Sequence, residues 1–450
     1  MADSVNIREL VLDALLSVTK EGSYSHIVTK QILDKYRYLD KKDRAFFTRM
    51  TEGTLENLIR IDYIIDRFSK VPVRKMKPVV RCIIQSAVYQ IHFMDAVPDS
   101  AACDEAVKLA KKRGFRNLSG FVNGVLRSIS RGKDGIDWPD PEKDSEMWLS
   151  VHYSIPRWMI RMWKEQFEQA GIPPETFERM LEAFLSPAPI TIRTNTNRVT
   201  PQELLRMLQE AGVDAVLCEE LPYAIRISGY DHLQALPGFE EGLFYVQDLS
   251  SMLVAETAAP KEDEFVMDVC AAPGGKAVHM AQMMHGTGRV LARDLTQHKV
   301  DMLLDNMRRC RIADSNMQAQ VWDAGILDET LVHKADLVVA DLPCSGLGVM
   351  RRKKDIRFHM TPEKITELAR LQQEILRVVC RYVKPGGRMI YSTCTISRQE
   401  NEENISRFLR EHPDFVLVSS RQILPEQGAG DGFYIAELLN RQEISENSVE

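Results

Sequence analysis

The 450-residue sequence lacks the long apolar runs that membrane-spanning helices require. No apolar run approaches the ~18 residues that span a bilayer, and no secretion signal opens the chain. Cysteine is also sparse: the eight cysteines are scattered, with no CxxC pair and no histidine-rich partner segment. This pattern disfavours both a zinc site and a disulfide framework. We therefore expect a cytoplasmic protein with no bound metal and no membrane association.

Two phosphate-binding signatures are missing from the stretch at which they would be expected. Residues 265–276 form an apolar run that closes on Asp268 and is followed by a turn of small residues, which predicts a strand, a loop and a helix. A Walker A motif requires Gly at position 270 and Ser or Thr at 277, where the chain has Cys270 and Ala277. A GxGxxG fingerprint is absent too. A nucleotide-like ligand such as S-adenosylmethionine fits this loop better, and an ordinary glycine turn is the alternative reading.

The charge of the chain is unevenly distributed. Hydrophobic residues make up 44% and charged residues 27% of a chain long enough for two to four domains, and the net charge is −6. Residues 1–133 nevertheless contain 24 Lys and Arg against 15 Asp and Glu. A basic amino-terminal segment on an acidic protein indicates an anionic partner, first of all a nucleic acid. A solvated basic surface without a partner is the alternative.

Residue periodicity divides the chain into segments of different character. Apolar residues repeat at helical spacing near the amino terminus, Thr200 begins a capped helix that Gly212 closes, and strands and helices alternate after residue 246. Strands are expected at 188–193 and 224–227, and later at 289–294, 320–323, 335–340, 387–391 and 431–436. The predicted divisions are an all-α domain (1–133), a linker (134–150), a small α+β subdomain (151–245), an α/β domain with a mostly parallel doubly wound sheet (246–440) and a frayed tail (441–450).

Three strand ends carry loops that together resemble a known family. The sequences D-V-C-A-A-P-G-G-K from Asp268, D-L-P-C-S-G-L-G from Asp341 and Y-S-T-C-T from Tyr391 resemble, in this order, motifs I, IV and VI of the RNA cytosine-5 methyltransferases. Residues 104–127 resemble the closing part of a NusB-like RNA-binding bundle. This pairing of domains resembles the ribosomal small-subunit RNA methyltransferase B family, which acts on cytosine 967 of 16S rRNA.

The resemblance implies a Rossmann-like class I methyltransferase domain that binds S-adenosylmethionine. It further implies a monomer that acts on 16S ribosomal RNA or a small-subunit precursor. The matching cofactor-binding positions are Cys270, Ala271, Ala272, Pro273, Gly274, Gly275, Lys276, Asp294, Asp323 and Asp341. Asp294 matches the family's ribose-binding acid and Asp323 the acid near the adenine ring. A solvated carboxylate at a strand end is the alternative for each.

Methylation of cytosine at C5 requires an activated cysteine. A thiolate that adds at C6 makes C5 nucleophilic, an acid bonds N3, and a base later removes the C5 proton. The chain offers Cys344, Cys394 and Asp341 at the strand ends, and local spacing leaves the nucleophile open. DNA cytosine-5 methyltransferases use the Cys of a Pro-Cys pair, which would be Cys344. The RNA family uses the Cys of a Thr-Cys pair, so the resemblance selects Cys394 and gives Cys344 a role in product release.

A basic segment follows the second motif and resembles the family's R-R-x-x-D-I-[KR] sequence. We expect it to bind RNA phosphates, with Phe358 available for stacking, through Arg351, Arg352, Lys353, Lys354 and Arg357. A merely solvated basic loop is the alternative. Residues 400–402 are expected to buttress the catalytic strand. Two other functions stay open: a methyltransferase for transfer RNA or another ribosomal site, and a non-catalytic factor that binds ribosomal RNA during assembly.

Overall fold

The computed structural model of the protein describes residues 5–425 and 430–442, and its contacts divide the chain into two compact units. The first unit comprises Met1–Ser186 together with Met350–His359. The second comprises Pro187–Val349 and Met360–Glu450. Residues 443–450 of the predicted tail lie outside the described residues. Among the described helices, none is both long and apolar enough to cross a bilayer.

The first unit is helical, as the sequence predicts. Asn6 caps its first helix, because the Asn6 side chain accepts hydrogen bonds from the amides of Arg8 and Glu9. The unit contains α1 (Ile7–Thr19), α2 (Ser25–Lys35), α3 (Lys41–Glu56), α4 (Leu58–Phe68), α5 (Pro78–Phe93), α6 (Asp99–Lys112), α7 (Ser119–Gly132), α8 (Ser145–Tyr153), α9 (Arg157–Gln169) and α10 (Pro174–Ala183). Helix α5 is buried on nearly all sides and forms the centre of the bundle.

A small antiparallel sheet opens the second unit. Its elements are β1 (Ile190–Thr194), α11 (Pro201–Glu210), β2 (Asp214–Leu217), β3 (Ala224–Ser228) and β4 (Phe244–Val246), with strand order β2-β3-β1-β4. The predicted capping box forms: the Thr200 side chain accepts from the Glu203 amide, and the Glu203 carboxylate accepts from the Thr200 amide. The prediction found β1, β3 and α11 but missed β2 and β4. Helices α8 to α10 group with the first unit, although residues 151–183 had been assigned to the small subdomain.

A seven-stranded sheet forms the rest of the second unit. The elements that follow in the chain are α12 (Leu249–Ala258), β5 (Phe265–Asp268), α13 (Gly275–Met283), β6 (Arg289–Asp294), α14 (Gln297–Arg309), β7 (Met317–Val321), β8 (Ala335–Asp341), α15 (Ile356–His359), α16 (Pro362–Val379), β9 (Val383–Thr393), α17 (Glu402–Glu411), β10 (Phe415–Ile423) and β11 (Phe433–Asn440). Of these, α15 packs with the first unit.

The strand order is β10-β11-β9-β8-β5-β6-β7. Strands β5 to β9 run parallel, and β10 and β11 are antiparallel. Apolar cores cover both faces of the sheet, as the doubly wound prediction requires. Strand β5 pairs with β6 on one side and with β8 on the other. The chain adds β6 and β7 on one side of β5 and then returns to the opposite side to form β8, so the direction in which strands are added reverses between β5 and β8. Ligands of open α/β sheets bind at such a reversal, outside the carboxyl ends of the strands.

Candidate active site

The glycine-rich loop lies at this reversal, between β5 and α13. Its two glycines are required by geometry. Gly274 has a φ of 111°, a backbone conformation that residues with a Cβ atom rarely adopt. A Cβ at Gly275 would lie 3.2 Å from Cε1 of Tyr245. The loop therefore packs closely against Leu303 and Tyr245, and a larger residue at either glycine would crowd them.

Asp294, at the end of β6, is built into this loop. Its Oδ2 accepts a hydrogen bond from the Ala272 amide at 2.9 Å, and its Oδ1 accepts one from the Leu295 amide at 2.8 Å. The ammonium of Lys299 lies 2.8 Å from the same Oδ1, and the carboxylate is only 4% exposed. Asp294 consequently fixes the position of the loop whether or not a ligand is present.

Asp323 lies beyond the strand that was predicted to contain it. The prediction of a strand over 320–323 is displaced, because β7 ends at Val321. The Trp322 amide still donates to the Asp294 carbonyl oxygen at 2.9 Å, and the chain then turns as Asp323 Oδ1 accepts from the Gly325 amide at 2.9 Å. Asp323 is exposed, on the turn that follows β7.

A half-buried ion pair lies beside the loop. The ammonium of Lys276, the second residue of α13, is 2.7 Å from Oδ2 of Asp341 at the end of β8. The hydroxyl of Ser392 donates to Oδ1 of Asp341 at 2.8 Å. Burial opposes the charge of Lys276, but the Asp341 and Asp268 carboxylates and the Cys394 thiol outweigh that effect and raise the Lys276 pKa. The pair thus holds a stable cation and its carboxylate partner in a largely dry setting.

Burial also perturbs the acid and the thiol of the first motif. Burial raises the pKa of Asp268 to about 7, the Asp341 charge adds to this effect, and Lys276 opposes it. Burial likewise raises the pKa of the Cys270 thiol, and the neighbouring carboxylates act in the same direction. Cys270 is therefore held as a neutral thiol in the loop.

The two candidate cysteines are in contact with each other. Their sulfur atoms, Sγ of Cys344 and Sγ of Cys394, are 3.3 Å apart. The hydrogen bond to Cys394 and burial raise the pKa of Cys344 well above its ordinary value, and the Glu400 charge adds to this effect. These effects favour the protonated form of Cys344.

Residues 400 and 401 hold the loops that carry both thiols, as the sequence predicts for them. Oε1 of Glu400 accepts from the Ser345 amide at 2.8 Å, and Oε2 accepts from the Ser345 hydroxyl at 2.5 Å. Asn401 accepts from the Thr393 hydroxyl at 2.6 Å and donates to the Thr395 carbonyl oxygen at 3.1 Å. Ser345 follows Cys344, and Thr393 and Thr395 flank Cys394. All three are bonded to residues 400 and 401, so one turn after β9 holds both thiol-bearing loops.

The basic segment is buried in the first unit rather than exposed. Arg351, Lys354 and Arg357 are each at least nine-tenths buried. Arg357 Nη1 donates to the carbonyl oxygens of Glu56 at 2.8 Å and Ser154 at 2.9 Å, and Lys354 forms an ion pair with the Glu56 carboxylate. Lys354 and Arg357 therefore bind partners inside the helical unit, and phosphate binding by the three residues stays a prediction.

The other members of that segment differ in exposure. Lys353 is exposed and Arg352 is half-buried, so RNA binding stays a prediction for these two. Phe358, the ring that was available for stacking on a base, packs instead against the apolar core of the helical unit. Asp355 is fully buried and accepts from the Ser25 hydroxyl. The segment is a packed part of the helical unit.

The structure adds site residues that the sequence did not single out. Ser392, inside the third motif, bonds Asp341, and only its position in the motif could have indicated that role. Asn306 donates to the Pro273 carbonyl oxygen at 2.9 Å, and Tyr245 does so at 3.3 Å. Neither has a local sequence signal. Within the described ranges, no group of three or more His, Cys, Asp and Glu residues is arranged to hold a metal ion.

The fold and these motifs together define a Rossmann-like methyltransferase with a NusB-like helical domain. Residues 255–439 match the 16S rRNA methyltransferase RsmB/F family, residues 5–131 the NusB family, and residues 155–232 the ferredoxin-like domain of RsmF/B-like methyltransferases. The chain belongs to the ribosomal RNA small subunit methyltransferase B family and is an RNA methyltransferase.

Curated relatives match the chain over nearly its full length. The probable ribosomal RNA small subunit methyltransferase B of Bacillus subtilis is 34% identical, over 97% of this chain and 99% of that protein. Ribosomal RNA small subunit methyltransferase B of Proteus mirabilis is 30% identical, over 98% and 100%. The crystal structure of PH0851 superposes with a TM-score of 0.79 at 27% identity, covering 97% of this chain and 99% of that one. A methyltransferase homologue from Pyrococcus horikoshii gives a TM-score of 0.57 at 25% identity, covering 66% and 99%.

Proposed function

We propose that the protein transfers the methyl group of S-adenosylmethionine to C5 of a cytosine in 16S ribosomal RNA, at position 967. The transfer proceeds through a covalent bond between Cys394 and C6 of the ring. The observation that carries this proposal is the contact between the two thiols at adjacent strand ends. The names of the curated relatives support ribosomal RNA as the substrate.

The residues of the crevice fit S-adenosylmethionine. The loop Cys270–Lys276 is built from small residues between β5 and α13, which suits a ligand that approaches backbone amides closely. We assign Asp294 to the ribose hydroxyls and Asp323 to the adenine side, on the rim formed by β6 and β7. The bound cofactor supplies an electrophilic methyl group.

The electrostatics around the thiols favour Cys394 as the nucleophile. Cys344 keeps its proton and is placed to donate its S–H to the sulfur of Cys394. The charge of Lys276 interacts favourably with a Cys394 thiolate. A neighbouring cation and a hydrogen-bond donor both stabilise a thiolate, and the thiolate is the reactive form of cysteine. These two groups support addition of Cys394 to C6.

The Lys276–Asp341 pair is suited to recognise the edge of the base. It presents a cationic donor and a carboxylate acceptor side by side, 2.7 Å apart. Cytosine offers an acceptor at N3 and a donor at its exocyclic amine, which such a pair complements. We assign the Asp341 carboxylate to the exocyclic amine and the Lys276 ammonium to N3, where negative charge develops as the Cys394 sulfur adds. Lys276 then stabilises that charge in a water-poor setting.

The release step explains why a second thiol is needed. After methyl transfer a base removes the C5 proton, the electrons of that bond form the C5–C6 double bond, and the Cys394–C6 bond breaks. The leaving group is the Cys394 thiolate. The S–H of Cys344 stabilises this leaving group by the same hydrogen bond that stabilises the thiolate before attack, so Cys344 assists elimination as well as addition.

The test is a denaturing gel of variants incubated with substrate RNA and S-adenosylmethionine. Cys394→Ala is expected to give no methylation and no protein–RNA adduct. Cys344→Ala is expected to attack and methylate but to release slowly, so that an adduct accumulates. Cys380→Ala removes a buried thiol near His412 and serves as the matched control, which should behave as wild type.

A stable adduct from Cys394→Ala, with none from Cys344→Ala, would place the nucleophile at Cys344. The position on the RNA is tested separately, by bisulfite sequencing of ribosomal and transfer RNA from cells with and without the protein. Loss of methylation at 16S position 967 is the expected result. Loss at a transfer RNA or another ribosomal position would redirect the substrate assignment.

A further inference from the structure

We propose that Arg193, on strand β1 of the small antiparallel sheet, is a positioning residue for the cofactor loop. Its side chain is 1% exposed. Nη1 donates to the carbonyl oxygen of Gly275 at 2.8 Å and also to the Gln247 side chain, and Nη2 donates to Oε1 of Gln282 at 3.0 Å. The small sheet is therefore part of the S-adenosylmethionine site. This inference rests on the proposed function, because it assumes the ligand of the loop.

A second residue of the small sheet reaches the same loop. Tyr245 on β4 lies directly opposite Arg193 in the pairing of β1 with β4. Its hydroxyl donates to the Pro273 carbonyl oxygen at 3.3 Å, and the Arg193 guanidinium lies 5.4 Å from the centre of its ring. The two side chains thus contact carbonyls on either side of Gly274, the residue with the left-handed backbone.

The Gly275 carbonyl is a sensitive point at which to hold the loop. In a trans peptide the carbonyl and the following N–H point in opposite directions. By fixing the Gly275 carbonyl, Arg193 therefore fixes the direction of the Lys276 amide. Lys276 also carries the ammonium that pairs with Asp341. Arg193 is thereby tied to both the backbone of the cofactor loop and the start of the helix that bears the catalytic cation.

Packing alone does not explain why a charged residue occupies position 193. The guanidinium donates to neutral amide and carbonyl oxygens, and within the described part of the chain no carboxylate forms an ion pair with it. Burial lowers its pKa to about 10, so the guanidinium stays charged near neutral pH. A buried, unpaired cation is costly, and a cation near a helix N-terminus is unfavourable. A neutral side chain would fill this space at lower cost, which indicates that the rigid, multiply donating guanidinium serves the loop.

The experiment compares Arg193→Met, Arg193→Lys and a matched control in the full-length protein. Asn195 provides the control: it lies just beyond the end of β1, two residues from Arg193, is also buried, and donates to the carbonyl oxygens of Gly242 and Cys310, away from the loop. Calorimetry measures the Kd for S-adenosylmethionine. Hydrogen exchange of peptides covering 270–284 is measured without cofactor, and KM is measured for S-adenosylmethionine and for RNA.

Arg193→Met is expected to raise the Kd and the KM for S-adenosylmethionine about 10- to 100-fold, since a buried carbonyl loses its charged donor. Exchange at 270–284 should accelerate while the KM for RNA stays unchanged. Arg193→Lys, which retains the charge and a donor, should recover part of the affinity. Asn195→Ala should lower the melting temperature with the Kd unchanged.

Two outcomes would overturn the inference. One is wild-type Kd and wild-type exchange in Arg193→Met; the other is an equal rise in Kd in Asn195→Ala, which would mean that any loosening of the small sheet has this effect. If Arg193→Met does not fold, Arg193→Lys is compared with Asn195→Ala by the same criteria. Failure of the wild-type protein itself to bind S-adenosylmethionine would refute the proposed function instead, and loop exchange would still report on Arg193.

Discussion

Asp268 should make the stability of the second unit depend on pH. In the folded protein its pKa is raised to about 7, mainly by burial and then by the Asp341 charge. In the unfolded chain an aspartate titrates near pH ~3.9. Between these two values the folded state keeps a proton that the unfolded state releases. A raised folded pKa of an acid therefore costs stability as pH rises through this window.

The magnitude follows from the shift. Each pH unit within the window removes about 1.4 kcal/mol, so about 4 kcal/mol is lost by pH 8 relative to pH 4. Asp268→Asn has nearly the same shape and cannot ionise, so it should abolish this dependence. The variant and wild type should be similar near pH 5, and the variant should be more stable at pH 8. About 3 kcal/mol of this loss falls between pH 5 and pH 8, so at about 2–4 °C per kcal/mol the difference in melting temperature should reach roughly 6–12 °C.

The assay is thermal unfolding of both proteins from pH 5 to pH 8.5 at constant ionic strength. Asp323→Asn is the control, because it removes the same charge from an exposed turn and should not change the slope. A difference between Asp268→Asn and wild type that stays constant over this range would refute the reasoning. It would mean that Asp268 is ionised in the folded protein throughout, with Lys276 outweighing burial.

Three further outcomes are expected. Asp294→Ala leaves the Ala272 amide without its acceptor, so S-adenosylmethionine binding should weaken while the protein stays folded; unchanged affinity by calorimetry would remove Asp294 from the site. Reversing the charge of the exposed Lys111 and Arg116 in the helical unit should weaken RNA binding and reduce the slope of log affinity against log salt by about 2, and an unchanged slope would show that this face does not meet RNA. Glu400→Ala should lower the free energy of unfolding of the second unit by about 1–3 kcal/mol, because the buried Ser345 amide loses its partner; urea titration would show a shift of that size or contradict the role.

The loops of the site were predictable because each is a local pattern. A buried strand, an acid or small residues at its end, and a following helix are read from a dozen neighbouring residues, and β5, β6 and β8 carry this pattern. The shared sheet edge then follows from parallel topology alone. Contact between the two thiols is a further consequence, since β8 and β9 are adjacent and pair through Asp341 and Ser392.

What sequence reasoning missed depends on distant partners or on edges. Strand β10 pairs only with β11 and is largely exposed, so it lacks the buried alternation that identifies a strand. The charge run at 351–357 predicted a solvent-facing loop, because nothing nearby in the sequence pairs with it. Lys354 pairs with the Glu56 carboxylate, and Arg357 donates to the carbonyl oxygens of Glu56 and Ser154. These partners lie between 203 and 301 positions earlier in the chain. Arg193 escaped notice for the same reason, since its acceptors come from Gln247 and α13.

The helical unit has a consequence for synthesis on the ribosome. Its last piece, Met350–His359, is translated only after residues 187–349, which belong to the other unit. At about 5–20 residues per second this interval lasts on the order of 10 to 30 s. During that time the Glu56 carboxylate and the carbonyl oxygens of Glu56 and Ser154 lack their partners, Lys354 and Arg357. The first unit to emerge is therefore completed only after strands β5 to β8 have been translated.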